Sequence, residues 1–375
     1  MIAIGLMSGT SLDGVDAALV KIENNQFKLL KFITLNYNQE FKTKIMRNLH
    51  DESARLSEIC SLNFELGYKF VEAIDKLLEG TRYQYDDISF VASHGQTIWH
   101  NPKYNNGNIP STFQIGEPSV ITYQTNISTI SNFRVMDIAA GGEGAPLVPM
   151  SEYMLFKSET KNIILQNIGG ISNLTYLPKR CKIDDVIAFD TGPGNIMIDY
   201  FVNKYFGISY DEGGKIALSG KIINELFNAL KEDEFIKRTP PKSTGREQYN
   251  QSFMENLISK YNFANYDKAD IITTISEFTV YGITYNYLEF IKNFDQVVVS
   301  GGGSHNQYII KRMSEILKKE VLTQEDLGFN SDAKEAIAFV ALGYLTINNQ
   351  PSNVKSATGA KNSVILGNIT PRKEN

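Results

Sequence analysis

Cysteine is almost missing from this sequence, with two in 375 residues. Cys60 and Cys181 stand far apart and form no C-x-x-C pair. That argues against a disulfide framework or a thiolate-held cluster and fits two buried thiols in a reducing cytoplasm. Histidine is scarce too. His94 and His100 lie six apart, with no carboxylate pair at ligand spacing, so a histidine metal centre is not expected. An excess of positive charge is also lacking. The net charge of −5 gives no electrostatic reason to expect nucleic acid or an anionic membrane as partner. No apolar run is long enough for a membrane span. The first residues lack a basic leader segment and reach a polar turn, so they read as a strand and not a signal peptide. No G-x-x-x-x-G-K-[ST] loop occurs, which rules out the commonest phosphate cradle.

What is present begins with Ile2 to Val20, IAIGLMSGTSLDGVDAALV. It reads as an apolar strand, a Gly/Ser/Thr turn, an acidic tip and a second apolar strand. The turn Ser8-Gly9-Thr10-Ser11 offers backbone N–H groups and three hydroxyls. Gly9 and Gly14 permit the positive φ and close approach that such a turn needs. Asp13 and Asp16 add carboxylates suited to a metal ion or its waters. A plain β-hairpin would have the same outline, but this density of polar groups favours a nucleoside triphosphate with Mg²⁺. A third strand follows over Phe27 to Tyr37. Apolar residues from Leu56 to Leu77 recur at three- and four-residue steps, which predicts one long helix capped by Ser53.

The strand Ile88 to Ala92 runs into Ser93-His94-Gly95-Gln96-Thr97. Ligands of open α/β sheets bind at the carboxyl ends of strands, and His94, Gln96 and Thr97 suit sugar hydroxyls. Arg134 reads either as a carboxylate clamp or as a surface ion-pair partner. Gly141-Gly142-Glu143-Gly144 is too glycine-rich for regular structure and marks an interdomain linker from about Ala139 to Pro149.

The second half repeats the strand, turn, strand arrangement around Asn167-Ile168-Gly169-Gly170-Ile171-Ser172-Asn173. Two such turns suggest two phosphate-facing loops on opposite walls of a cleft. A strand over Val186 to Phe189 ends at Asp190, just before a helix. That position suits a general base kept ionised by the helix dipole, although a helix cap is the alternative. Lys237 to Gly245 reads as a basic exposed loop. The strand Gln296 to Val299 leads into Gly301-Gly302-Gly303, where a ring or a phosphate can approach the backbone. An apolar helix over Asp332 to Ile347 carries Lys334 and Glu335, and the tail from Asn348 looks loosely ordered.

IGLMSGTSLDGVDAALV, SHGQTIWH, NFRVMDIAAGGEGAPLVP, NIGGISNL, AFDTGPGN, STGRE, VSGGGSHN and AKEAIAF occur in this order. Together they resemble the anhydro-N-acetylmuramic acid kinases of bacteria over nearly the whole chain. The resemblance implies an α/β fold of the two-domain actin-like ATPase class (sugar kinase, Hsp70, actin), with a mixed sheet in each domain. The domains expected are 1–138 with about 348–375, and 139–347. It implies that Gly9, Thr10, Ser11, Leu12, Asp13, Gly14, Val15 and Asp16 bind ATP phosphates. Gly169, Gly170, Asn173, Gly301, Gly302 and Gly303 would complete the nucleotide site. His94, Gln96, Thr97, Arg134, Asp137 and Glu335 would contact the sugar, and Asp190 would be the catalytic base.

No direct metal ligand is implied. Mg²⁺ is expected with ATP, with Asp13 acting through water. The activity implied is hydrolytic opening of a 1,6-anhydro sugar with phosphorylation of O6, in cell-wall recycling, by a cytoplasmic homodimer without nucleic acid or membrane partners. A conventional amino-sugar kinase and an actin- or Hsp70-like ATPase driving a protein partner are the alternatives. Glu143 and Asn132 depart from the family's more frequent glutamine and aspartate.

Overall fold

The computed structural model describes every residue except 10, 11, 51, 106, 246, 329, 374 and 375. The chain forms two compact units, Met1–Leu155 with Asp332–Asn375, and Phe156–Ser331. The strands of the first unit are β1 (Ile2–Ser8), β2 (Gly14–Glu23), β3 (Gln26–Asn36), β4 (Phe90–Asn101), β5 (Ser111–Ile115) and β6 (Thr129–Ser131). Those of the second are β7 (Ile163–Ile168), β8 (Ile171–Leu177), β9 (Ile187–Pro193), β10 (Gln296–Ser300) and β11 (Val321–Thr323). The chain then returns to the first sheet with β12 (Asn368–Thr370).

The first sheet runs β12-β6-β4-β1-β2-β3, with β5 on β4, and the second runs β11-β10-β7-β8-β9. The two share one plan. In each, an antiparallel meander of three strands is extended by parallel strands beside its first member. The echo between the two hairpin motifs is therefore an echo of whole sheets. β1 is buried along almost its full length, as a strand covered on both faces must be.

The helix Lys334–Ile347 supplies one cover. A Cβ on Gly5 would sit 1.9 Å from the Ala336 carbonyl oxygen, so glycine is required for the helix to lie so close. At Gly343 a Cβ would meet Phe90 at 2.9 Å. This helix belongs to the first unit, although the expected domain limits at 138/139 and 347/348 put it in the second. Its apolar sequence suits either core, and only the fit of Gly5 and Gly343 decides. In the second unit the helix Lys268–Asn286 is buried on nearly every turn and forms the centre of the core.

Three local expectations are corrected. The long helix starts at Leu56, with Arg55 and not Ser53 at its N-cap. Ser53 instead donates to the Arg47 carbonyl at 2.6 Å. Cys60 is exposed, and only Cys181 is buried. The tail is ordered by a deep anchor: Ser352, Asn353 and Thr358 are buried, and Asn353 and Thr358 bind Asp137 of the same unit.

Candidate active site

In the first hairpin the Leu12 N–H donates to the Gly9 carbonyl at 3.2 Å. The positive φ falls on Leu12, at 57°, and not on Gly14. Gly14 is needed for another reason, because a Cβ there would lie 2.2 Å from the Leu35 carbonyl oxygen. Thr10 and Ser11 lie outside the described residues. Val15 is fully buried, which leaves it a packing role. Asp16 accepts from the Thr34 hydroxyl at 2.6 Å. Burial pushes its carboxyl up, and Asp332 and Asp13 add to this against the Thr34 bond. Asp13 is exposed, with Lys42 at 3.4 Å. Among the described residues no group of three or more His, Cys, Asp or Glu could hold a metal ion. Asp13 fits a hydrated Mg²⁺, which keeps most of its waters and takes its other ligands from phosphate.

The Ser-His-Gly-Gln-Thr segment lies inside β4 and not beyond its end. Its side chains form a buried polar set. Arg134 Nε donates to His94 Nε2 at 3.0 Å. Nε2 is therefore unprotonated, and Nδ1 carries the proton toward the Gly95 carbonyl at 2.9 Å. Burial, then the Arg134 charge, push the imidazole down to about 3. Arg134 also donates to the Gly144 carbonyl at 2.7 Å, so it is not a surface ion-pair partner. Ser8 donates to Gln96 Oε1 at 2.7 Å and lies 2.8 Å from the Tyr37 hydroxyl. Gln96 thus ties β4 to the first hairpin. Thr97 accepts from Gln114 at 3.2 Å.

Burial raises the Glu335 carboxyl, with Lys334 opposing, Asp16 adding and Arg134 opposing. His94 and Arg134 are in contact, and Glu335 belongs to the same unit with the Arg134 charge acting on it. Asp137 is not an open contact. It is fully buried, and accepts from Gly144 N–H at 2.8 Å, Asn353 at 2.9 Å and Thr358 at 2.8 Å. It holds the glycine-rich segment 139–149 inside the first unit, where that segment is no linker.

In the second unit the β7–β8 turn caps a helix. The carbonyls of Gly169 and Gly170 accept the N–H groups of Asn195 at 2.8 Å and Gly194 at 2.9 Å, where the helix Asn195–Phe206 begins. A Cβ on Gly194 would lie 2.2 Å from the Gly169 oxygen, while one on Gly170 meets nothing within 4 Å. The side of Gly170 where a side chain would stand is thus open space. Beneath the turn, Gln166 donates to Ser172 at 2.8 Å and accepts from the Tyr287 hydroxyl at 2.8 Å.

Asp190, on β9, lies opposite Asn173 of β8. Asn173 therefore neighbours the carboxylate rather than the Gly169–Gly170 turn. The first helix N–H groups are taken by Gly169 and Gly170, so the helix end does not hold Asp190. Its carboxylate accepts instead from Thr244 N–H at 2.8 Å. Burial dominates and pushes it up to about 6, with Glu247 adding and Thr244 and Lys242 opposing.

Of the three glycines after β10, two are packing residues. A Cβ on Gly301 would approach Asn167 Oδ1 at 2.7 Å, and one on Gly303 would approach Ile168 at 2.2 Å. Gly302 is open and lines a cavity of about 430 Å³ with Asn195, Asp199, Tyr210 and His305. Nothing in the periodicity singled out these last four, because they come from three separate segments. Asp199 lies there with its carboxyl raised to about 6 by burial.

Two mixed sheets on one plan, each with an antiparallel hairpin turn beside its parallel strands, define an α/β protein of the actin-like ATPase and sugar-kinase class. The family model described as anhydro-N-acetylmuramic acid kinase matches residues 1–372, and the chain belongs to that family. It is 50% identical over 380 residues to the anhydro-N-acetylmuramic acid kinase of Clostridioides difficile (strain 630), covering 99% of each. Identity to the protein of that name from Bacillus thuringiensis subsp. konkukian (strain 97-27) is 46%, again over 99% of each.

Two solved structures are similar at lower identity. The activator of the 2-hydroxyisocaproyl-CoA dehydratase from Clostridium difficile with bound ADPNP is similar at TM-score 0.46 and 13% identity, covering 93% of this chain and 97% of that one. The ROK hexokinase from Thermus thermophilus follows at TM-score 0.40 and 11% identity, covering 93% and 99%.

Proposed function

We propose that the chain uses ATP and water to open 1,6-anhydro-N-acetylmuramic acid and phosphorylate O6, giving N-acetylmuramic acid 6-phosphate and ADP. The observation that carries the chemistry is Asp190: a partly buried carboxylate in the middle of β9 and not at its end, held by one N–H and poised near pH 6. In an anhydro sugar O6 is an ether oxygen and has no proton to remove. Water must therefore attack C1 and break the C1–O6 bond. Asp190 takes the proton from that water. O6 leaves C1 with the electron pair and attacks the γ-phosphorus, and ADP departs.

Open space beside Gly170 and the Gly302 cavity fit a nucleotide, while Gly9 and Asp13 of the first hairpin fit its phosphates and the waters of Mg²⁺. Mg²⁺ supplies charge neutralisation for phosphoryl transfer, so no lysine is needed in the turn. Arg134 and Glu335 hold the sugar in this reading, with Arg134 on its lactyl carboxylate. Neutral His94 orients Arg134. In the same reading the enzyme works in the cytoplasm, as a homodimer, in peptidoglycan recycling. Among the described residues no helix is long and apolar enough to cross a membrane.

Asp190→Asn tests the assignment. It should lower kcat by roughly 10²- to 10⁴-fold, as loss of a general base does. Near-normal turnover would remove Asp190 from the role.

A further inference from the structure

The loop after the paired prolines reads in sequence as basic and exposed, yet Lys242 within it is only 6% exposed. Its ammonium donates to the carbonyls of Ile236 at 2.7 Å and Phe235 at 3.1 Å. Three rings surround it, with centroids at 5.1 Å for Phe235, 5.1 Å for Phe290 and 5.8 Å for Phe189. Carbonyls and ring faces are the neutral groups that hold a desolvated cation. The same residue touches the catalytic strand through its backbone, because the Lys242 carbonyl accepts the Asp190 N–H at 3.1 Å. Two residues further on, Thr244 N–H donates to the Asp190 carboxylate at 2.8 Å.

We propose that Lys242 is a positioning residue for the reaction: its caged ammonium anchors the 242–244 loop so that one loop backbone holds both the main chain and the carboxylate of Asp190. The proposal rests on the reading of Asp190 as base. Replacing the ammonium with an apolar group would leave the Phe235 and Ile236 carbonyls without their donor and release the loop. The Thr244 donor would then be lost from the carboxylate, and so would a nearby positive charge. Both losses favour the protonated acid, so the group would titrate at higher pH.

The other charged groups acting on this pair are Arg238 and Asp233 on Lys242, and Glu247 on Asp190. Burial, with Arg238 adding, brings Lys242 down to about 8 against the pull of Asp233 and Asp190. The arrangement therefore works between about pH 6 and about pH 8, with Asp190 ionised and Lys242 charged.

The test is the pH profile of kcat for the full chain with ATP, Mg²⁺ and the anhydro sugar, measured on wild type, Lys242→Met, Phe290→Leu and Asp190→Asn. Lys242→Met should lower kcat by about 10-fold or more with less change in KM. Its acid limb should move to higher pH, and the fall above about pH 8 should disappear. Phe290→Leu thins the cage but keeps the charge. It should lower kcat by about two- to five-fold and shift the acid limb the same way. It also carries the test if Lys242→Met does not fold. Wild-type kcat and limbs in the folded variants, with Asp190→Asn inactive, would overturn the proposal. An active Asp190→Asn would instead overturn the reading on which it rests.

Discussion

At the scale of single residues, burial shifts the protonation of two groups, Asp190 and His94. As the proposed base, Asp190 must be ionised to accept a proton. Its carboxyl is raised to about 6, so the protonated, inactive form persists to higher pH than an ordinary aspartate allows. Turnover should therefore fall below about pH 6, and a kcat profile flat down to pH 4.5 would contradict the assignment.

His94 is shifted the other way, down to about 3. The unfolded chain takes up a proton at this histidine near pH 6.5, and the folded chain does not. Stability from this site is therefore full above about pH 6.5 and is lost as pH falls toward about 3, by up to about 1.4 kcal/mol per unit. Denaturant unfolding at pH 4.5 and 7 should show a shallower pH dependence for His94→Gln than for wild type. Equal slopes would mean that His94 is protonated in the fold.

Asp190 and Arg134 were readable as candidates because each lies in a polar motif, AFDTGPGN and NFRVMDIAAGGEGAPLVP. Lys242 was not. Charge in a proline-rich loop predicts exposure, whereas its cage is built from Phe189, Phe235 and Phe290. Sequence spacing carries no trace of that convergence.

At the scale of elements, the glycines separate into packing positions and open ones. Gly194 packs against the Gly169 carbonyl, where a Cβ would lie at 2.2 Å. Gly194→Ala should displace the β7–β8 turn and destabilise the chain by about 1–3 kcal/mol, as overpacking does. ATP affinity should weaken with it, and unchanged stability together with unchanged ATP affinity would show that the turn does not depend on this contact.

The hairpins themselves were readable from apolar runs broken by polar turns. The segment 139–149 and the tail were not, because what orders them is remote. Asp137 binds Asn353 and Thr358, 216 and 221 residues away in sequence. Local composition shows only glycine and polarity there, which read as linker and loose end. Asp137 accepts three hydrogen bonds in a buried position, so Asp137→Ala should destabilise the first unit rather than weaken sugar affinity alone. Lowered cooperative unfolding in urea is the expected sign, and an unfolding midpoint like that of wild type would return Asp137 to the sugar.

At the scale of the whole chain, two units repeat one sheet plan with different side chains. The first carries the polar hairpin with the His94–Arg134 pair and Glu335. The second carries Asp190, its loop and the Gly302 cavity. The family follows from the match over residues 1–372. In the proposed reaction O6 of the anhydro sugar becomes nucleophilic only after water has opened the 1,6-bridge. Run in ¹⁸O-labelled water, the reaction should place label at C1 of the product.

The account is tested most directly by ADP release with ATP and Mg²⁺, comparing 1,6-anhydro-N-acetylmuramic acid, N-acetylglucosamine and no sugar. Release that depends on the anhydro sugar is the predicted result. Equal or faster release with N-acetylglucosamine, or sugar-independent turnover, would contradict it.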